Sequence, residues 1–173
     1  MCGIAGIALK HGETAPTGVL AALDASLAHR GPDGAGQTVA AGAALVHRRL
    51  AIIDVAGGDQ PLFEPGGAAL IANGEIYSYR ELRRDLLADV AFATGSDCEP
   101  ALHLYRREGL GFADRLRGMW AIAIHDRAAR RVVLSRDPFG IKPLYLAETK
   151  QGLAFASEPR ALLDAGLVAR GID

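Results

Sequence analysis

Four short apolar runs crowd the last third of the sequence, at residues 119–124, 131–135, 143–147 and 153–156, with only turn-rich segments between them. Each has the length and the β-branched or aromatic content of a strand, and spacers such as Asp137-Pro138-Phe139-Gly140 carry no helical periodicity. Strands that follow one another this closely pair as antiparallel hairpins, because a parallel neighbour needs a long crossover connection. This argues against a doubly wound parallel sheet and for an α+β fold with strands and helices in separate blocks.

The rest of the chain fits that reading. Residues 3–9 form an apolar run with two isoleucines, ended by Lys10-His11-Gly12, and predict a buried strand that sets Cys2 on a rigid edge. Residues 16–29 carry Val19, Leu20, Leu23 and Leu27 near helical spacing, with Thr14 or Pro16 as start signals and the Gly31-Pro32-Asp33-Gly34 cluster as the stop. Residues 37–40 and 43–53 predict a hairpin around Ala41-Gly42, followed by a Gly57-Gly58-Asp59-Gln60-Pro61 loop. A strand at 68–72 is stopped by Asn73-Gly74, and a charge-rich surface helix follows at 78–87. Thr94-Gly95-Ser96-Asp97 leads into a second helix at 99–108, with Asp97 placed as a natural N-terminal cap.

With 173 residues, half of them hydrophobic, the chain can bury one sizeable core, so residues 1–173 are expected to form one domain. The net charge of −1 and the scattered arginine pairs favour neither nucleic acid nor anionic lipid as a partner. No apolar run reaches the roughly 20 residues that cross a bilayer, and nothing before Cys2 leaves room for a secretory leader. A cytoplasmic location is therefore expected, with Cys2 and Cys98 reduced. Cys98 reads as a small buried residue, and the five histidines show no paired ligand spacing, so no metal site is expected.

The chemistry starts at Cys2. Removal of Met1 would put a thiol and a free α-amine on one residue, and an α-amine with a reference pKa of about 8 can serve as the general base. Amide hydrolysis through a thioester needs that nucleophile, a proton donor for the leaving ammonia and donors for the tetrahedral oxyanion. Gly3 beside Cys2 is expected to leave the backbone open to substrate.

The ordered motifs Cys2-Gly3-Ile4-Ala5-Gly6, His29-Arg30-Gly31-Pro32-Asp33-Gly34, Arg49-Leu50-Ala51-Ile52-Ile53-Asp54, Asn73-Gly74-Glu75-Ile76-Tyr77, Thr94-Gly95-Ser96-Asp97-Cys98-Glu99 and Arg136-Asp137-Pro138-Phe139-Gly140-Ile141-Lys142-Pro143-Leu144-Tyr145 cover nearly the whole chain. Together they resemble the class II glutamine amidotransferase domain of the asparagine synthetase type, an N-terminal nucleophile hydrolase. The resemblance implies a four-layer αββα sandwich of two antiparallel sheets, and a glutaminase that takes L-glutamine to glutamate and ammonia. It implies Cys2 as nucleophile and Asn73 with Gly74 as the oxyanion hole. Arg49 would grip the α-carboxylate, Glu75 and Asp97 the α-ammonium, and Ile52 and Ile53 would form pocket wall and backbone contacts. Arg30 is expected to help close the site as a lid.

The glutaminase domain itself would use no cofactor. ATP and Mg are expected only for an ATP-dependent synthetase domain or subunit, whose Ser-Gly-Gly-x-Asp-Ser loop this sequence does not contain. That C-terminal domain is expected to be absent from a chain that stops at Asp173. Amidotransferases of the phosphoribosylamine or glucosamine-phosphate kind share the nucleophile and fold but word these motifs differently. Two further alternatives stay open at the level of sequence: an N-terminal-cysteine hydrolase of another amide, and a non-catalytic interaction module with the same fold.

Overall fold

The computed structural model describes residues 1–10, 13 and 15–171. The stop at His11-Gly12, the Thr14 start signal and the chain's last two residues lie outside the described residues. The strands in chain order are β1 (Gly3–Leu9), β2 (Gly34–Ala40), β3 (Ala43–Arg49), β4 (Leu62–Phe63), β5 (Ala69–Ile76), β6 (Gly118–Asp126), β7 (Arg131–Arg136), β8 (Tyr145–Glu148) and β9 (Gly152–Ala156). The helices are α1 (Thr17–Leu27), α2 (Tyr79–Glu81), α3 (Glu99–Glu108) and α4 (Pro159–Asp164).

Two sheets result, ordered β2-β3-β1-β9-β8 and β4-β5-β6-β7, and every strand pair in them is antiparallel. Side chains that alternate along each strand assign the layers. Ile4 of β1 points between the sheets with Leu45, Ile71, Ala121, Ala123 and Phe155. Ala5 and Ile7 point the other way, onto Leu20, Leu23 and Leu27 of α1 and Leu162 of α4. On the second sheet, Leu70, Ala72, Ile122 and Ile124 face Leu102 and Tyr105 of α3. The central strands are covered on both faces, which is why they read as continuous apolar runs. Each aliphatic side chain fully buried in this way contributes about 1.5–3 kcal/mol. The antiparallel α+β class is the one expected from the strand blocks, and the two sheets stacked between helices are what the family resemblance implied.

Several local expectations are corrected. Asn73-Gly74 does not stop a strand: β5 runs on to Ile76, with Asn73, Gly74 and Glu75 paired to Ala121, Trp120 and Met119 of β6. The turn propensity of Asn-Gly is overridden by this pairing, and Gly74 is needed for it, because a Cβ there would lie 2.5 Å from the Met119 carbonyl oxygen. β3 ends at Arg49, four residues early, because the Arg49 side chain gathers the following loop. The expected helix at 78–87 is a short α2 continued by a wide turn, Leu82–Leu86, closed by a Leu87 N–H to Leu82 carbonyl bond of 3.0 Å. Residues five apart do not share a face in an α-helix; the wider turn brings Leu82 and Leu87 into one core cluster. The two-residue β4 is too short to leave a periodic signal.

Candidate active site

Cys2 precedes the first residue of β1, so the strand fixes its backbone while its side chain stays partly exposed. The thiol lies against Leu50, whose N–H donates to Sγ at 3.4 Å and whose carbonyl oxygen accepts from it at 3.6 Å. Arg30 holds the other side: Nε donates to the Cys2 carbonyl oxygen at 3.0 Å and Nη1 to Glu158 Oε1 at 2.7 Å. Burial alone would raise the Glu158 pKa, but its bonds to Arg30 and His29 outweigh that and hold it below the usual range.

These contacts correct two expectations. Arg30 is no lid: its side chain is buried and clamps the nucleophile's own carbonyl from a short 3-10 turn, Ala28–Arg30. Gly3 does not open a path for substrate either, since a Cβ there would meet Leu27 Cβ at 3.2 Å and Arg30 Cδ at 3.3 Å on the helical side. Its missing side chain makes room for the clamp.

The structure gathers the remaining expected residues around one cavity, whose wall includes Cys2, Arg49, Ile52, Ile53, Asn73, Gly74, Glu75 and Asp97. They come from the residue before β1, the end of β3 and the loop after it, β5, and the segment before α3. Asn73 is only 1% exposed, and its Nδ2 has no hydrogen-bond partner among the described residues. A buried donor left unmade costs about 1–3 kcal/mol, so this amide stands ready for an acceptor that enters the cavity.

Asp97 is buried and accepts the Ile76 N–H at 2.8 Å, tying the segment before α3 to the end of β5. It does not cap α3; Cys98 occupies that position without a side-chain cap bond. Burial raises the Asp97 pKa, the Ile76 N–H opposes the rise, and the charge of neighbouring Glu75 adds to it. Two carboxylates that repel one another across a cavity wall suit a cation.

Arg49 lines the same cavity with its guanidinium already engaged. Nη1 donates to the Val55 carbonyl at 3.0 Å and to Asp59 Oδ1 at 2.9 Å, and Nη2 to the carbonyls of Ile53 and Asp54 at 3.4 and 2.6 Å. Asp59, whose side chain is 80% exposed, is the partner that a substrate carboxylate at Arg49 can most readily replace.

Gln60, Ser96 and Lys142 line the cavity and were missed from sequence. Gln60 Oε1 accepts the Ala72 N–H at 2.6 Å, a bond across the fold that no local pattern announces. Lys142 sits inside a motif that marked the region without marking the residue.

Asp137 organises that motif. Oδ1 accepts the N–H groups of Phe139 and Ile141 at 3.1 and 2.9 Å, and Oδ2 those of Trp120 and Lys142 at 3.2 and 3.0 Å. Burial alone would raise its pKa, but the four backbone bonds hold it below the usual carboxylate range. A depressed carboxylate pKa stabilises the fold above the unfolded value and loses that contribution as pH falls toward the folded value. Asp137→Ala orphans four N–H donors and is expected to destabilise the protein by about 3 kcal/mol, measured by urea unfolding at neutral pH. The difference from wild type should shrink as the pH drops below 4 or so. An unchanged unfolding midpoint would refute the keystone role.

Among the described residues no cluster of three or more His, Cys, Asp or Glu side chains could hold a metal ion, and no helix is long and apolar enough to cross a membrane. Both cysteines are free thiols.

Over residues 1–173 the sequence matches the family model described as a glutamine amidotransferase domain. The chain belongs to that family. This amidotransferase domain is 42% identical over 166 residues to the glutamine-hydrolyzing asparagine synthetase 2 of Bacillus subtilis, a match covering 94% of the chain and 22% of that protein. It is 42% identical over 143 residues to asparagine synthetase B of Escherichia coli, covering 82% of the chain and 26% of that protein. The chain thus spans about a quarter of the length of these curated relatives. Among solved structures, the glutamine phosphoribosylpyrophosphate amidotransferase of Bacillus subtilis superposes with a TM-score of 0.77 at 25% identity, covering 95% of this domain and 44% of that chain.

Proposed function

We propose that this domain hydrolyses the side-chain amide of L-glutamine to glutamate and ammonia through a thioester on Cys2. The observation that carries the reading is one cavity holding the Cys2 thiol and the unpartnered amide donor of Asn73, with Glu75 and Asp97 in the same wall. The family supports the substrate. The acidic pair favours a free amino acid over a neutral acyl amide, and the intact nucleophile argues against a purely structural module.

The steps balance around Cys2. With Met1 removed, the α-amine takes the thiol proton; sulfur bonds to the amide carbon, and the carbonyl oxygen becomes an oxyanion facing Asn73 Nδ2 and the Gly74 N–H. The C–N bond breaks as the amine returns the proton to departing ammonia. Water, deprotonated by the same amine, then attacks the thioester and releases glutamate and the thiol. Met1 lines the cavity, so its removal would both free the base and enlarge the site. Glu75 and Asp97 would take the α-ammonium, and Arg49, once Asp59 yields, the α-carboxylate.

The relatives' names further support delivery of the ammonia to an ATP-dependent synthetase partner that amidates a carboxylate, as in asparagine formation. ATP and Mg would act there, with no cofactor in this domain. Free thiols suit a reducing cytoplasm.

The test is a substrate panel with mass-verified, Met1-free protein: glutamine should yield glutamate and ammonia in equal amounts, while N-acetylglutamine, which lacks the cation, should not react. Turnover of simple acyl amides but not of glutamine would overturn the reading. Asp97→Asn is expected to raise KM for glutamine by about 10- to 100-fold, the worth of a charge-assisted bond, with a smaller change in kcat. In wild type KM should climb as pH falls through the raised Asp97 pKa, because protonation removes the same charge. A KM unchanged by Asp97→Asn would exclude this role.

A further inference from the structure

Lys142 brings a second cation to the catalytic cavity, and the reaction above gives it no task. The residue is only 6% exposed, and the one polar partner of its ammonium among the described residues is the Met1 sulfur, 3.5 Å away. A thioether is a weak acceptor, and a buried ammonium without an anion is costly. Its position is built rather than incidental. The Lys142 N–H is bound by Asp137, and Arg136 donates to the carbonyls of Lys142 and Gly140 at 2.8 and 2.7 Å, so both faces of the loop are fixed.

Of the charged groups at the reacting end, Arg30 is tied to the Cys2 carbonyl oxygen and to Glu158. Arg49 is engaged by its loop, Asp97 by Ile76, and Asp137 by four N–H groups. Glu75 and Cys98 share the cavity wall, Cys98 with a pKa pushed well up by burial. Excision of Met1 takes away the sulfur beside Nζ and leaves the ammonium in the wall of the cavity that holds Cys2.

We propose that Lys142 is the charge-setting residue of the reacting end: its ammonium keeps the Cys2 amine unprotonated at neutral pH and favours the anionic forms of sulfur and of the tetrahedral oxygen. This rests on the reading of Cys2 as an N-terminal nucleophile. The transferred proton moves only between sulfur, the Cys2 amine and the leaving ammonia.

The test compares Met1-free wild type with Lys142→Met and Lys142→Arg, all checked for Met1 removal by mass and for folding by thermal melting. Two pH profiles are recorded: the rate of Cys2 alkylation by iodoacetamide, which needs no substrate, and kcat/KM for glutamine. In Lys142→Met the acidic limb of both profiles should move up by about one pH unit, with kcat/KM at pH 7 lower by about 10-fold. Lys142→Arg, which keeps the charge, should stay within about 3-fold of wild type. Superimposable profiles for wild type and Lys142→Met, or equal impairment of the Met and Arg variants, would overturn the proposal. If wild type fails to turn over glutamine but the alkylation profile still moves, the glutaminase reading falls and the role of Lys142 stands.

Discussion

Glutamate formation is expected to fall by about 10⁴-fold or more in Cys2→Ala, to the level left by binding and oxyanion donors alone. The other thiol in the cavity wall cannot replace that of Cys2. Cys98, the second thiol, is buried with a pKa raised well above that of an ordinary thiol, so it supplies almost no thiolate. It also lacks the α-amine that only residue 2 gains when Met1 leaves. The fold should tolerate the change, because the Cys2 side chain is partly exposed and makes only two weak contacts with Leu50. A melting temperature within a few degrees of wild type, together with lost turnover, is the expected pair of results. Retention of a tenth of the activity would assign the chemistry to another nucleophile.

Asn73→Ala should cost about 10²- to 10³-fold in kcat, the worth of one oxyanion donor, with KM little altered. Its stability effect separates function from structure. A buried amide that serves the fold would be bonded in the resting protein, and its removal would destabilise. Nδ2 of Asn73 has no partner among the described residues, so truncation removes an orphaned donor and should leave the melting temperature unchanged or raise it, the usual trade at a site that stores an unmade bond. A drop of many degrees that parallels the loss of kcat would mean that Asn73 is a structural residue of β5.

What could be read from the sequence divides along physical lines. The terminal strand, α1 and α3, and the antiparallel hairpins β6-β7 and β8-β9 follow from local apolar periodicity and close spacing and were legible, but the passage from β7 in one sheet to β8 in the other was not. The residues around the cavity were legible as motifs, since Cys2, Asn73 and Asp97 lie in ordered signatures. Their local setting was not. Asn73-Gly74 has turn chemistry, yet pairing with β6 keeps it extended; Asp97 looks like a helix cap, yet it binds Ile76 across the fold. Arg30 was misread because its partners, Cys2 and Glu158, are 28 and 128 residues away. Gln60 and Lys142 reach the cavity only through tertiary packing, and the wide turn at Leu82–Leu86 answers to the spacing of two core leucines, not to propensity.

The reading of Cys2 as the glutamine-attacking nucleophile is tested most directly by exposing the Met1-free protein to a glutamine analogue that carries a diazoketone in place of the side-chain amide, followed by peptide mapping. One covalent adduct per chain is expected, on Cys2, formed in step with loss of glutamate production and prevented by excess L-glutamine. Labelling at Cys98 or elsewhere, or labelling of Cys2 that glutamine does not slow, would contradict it.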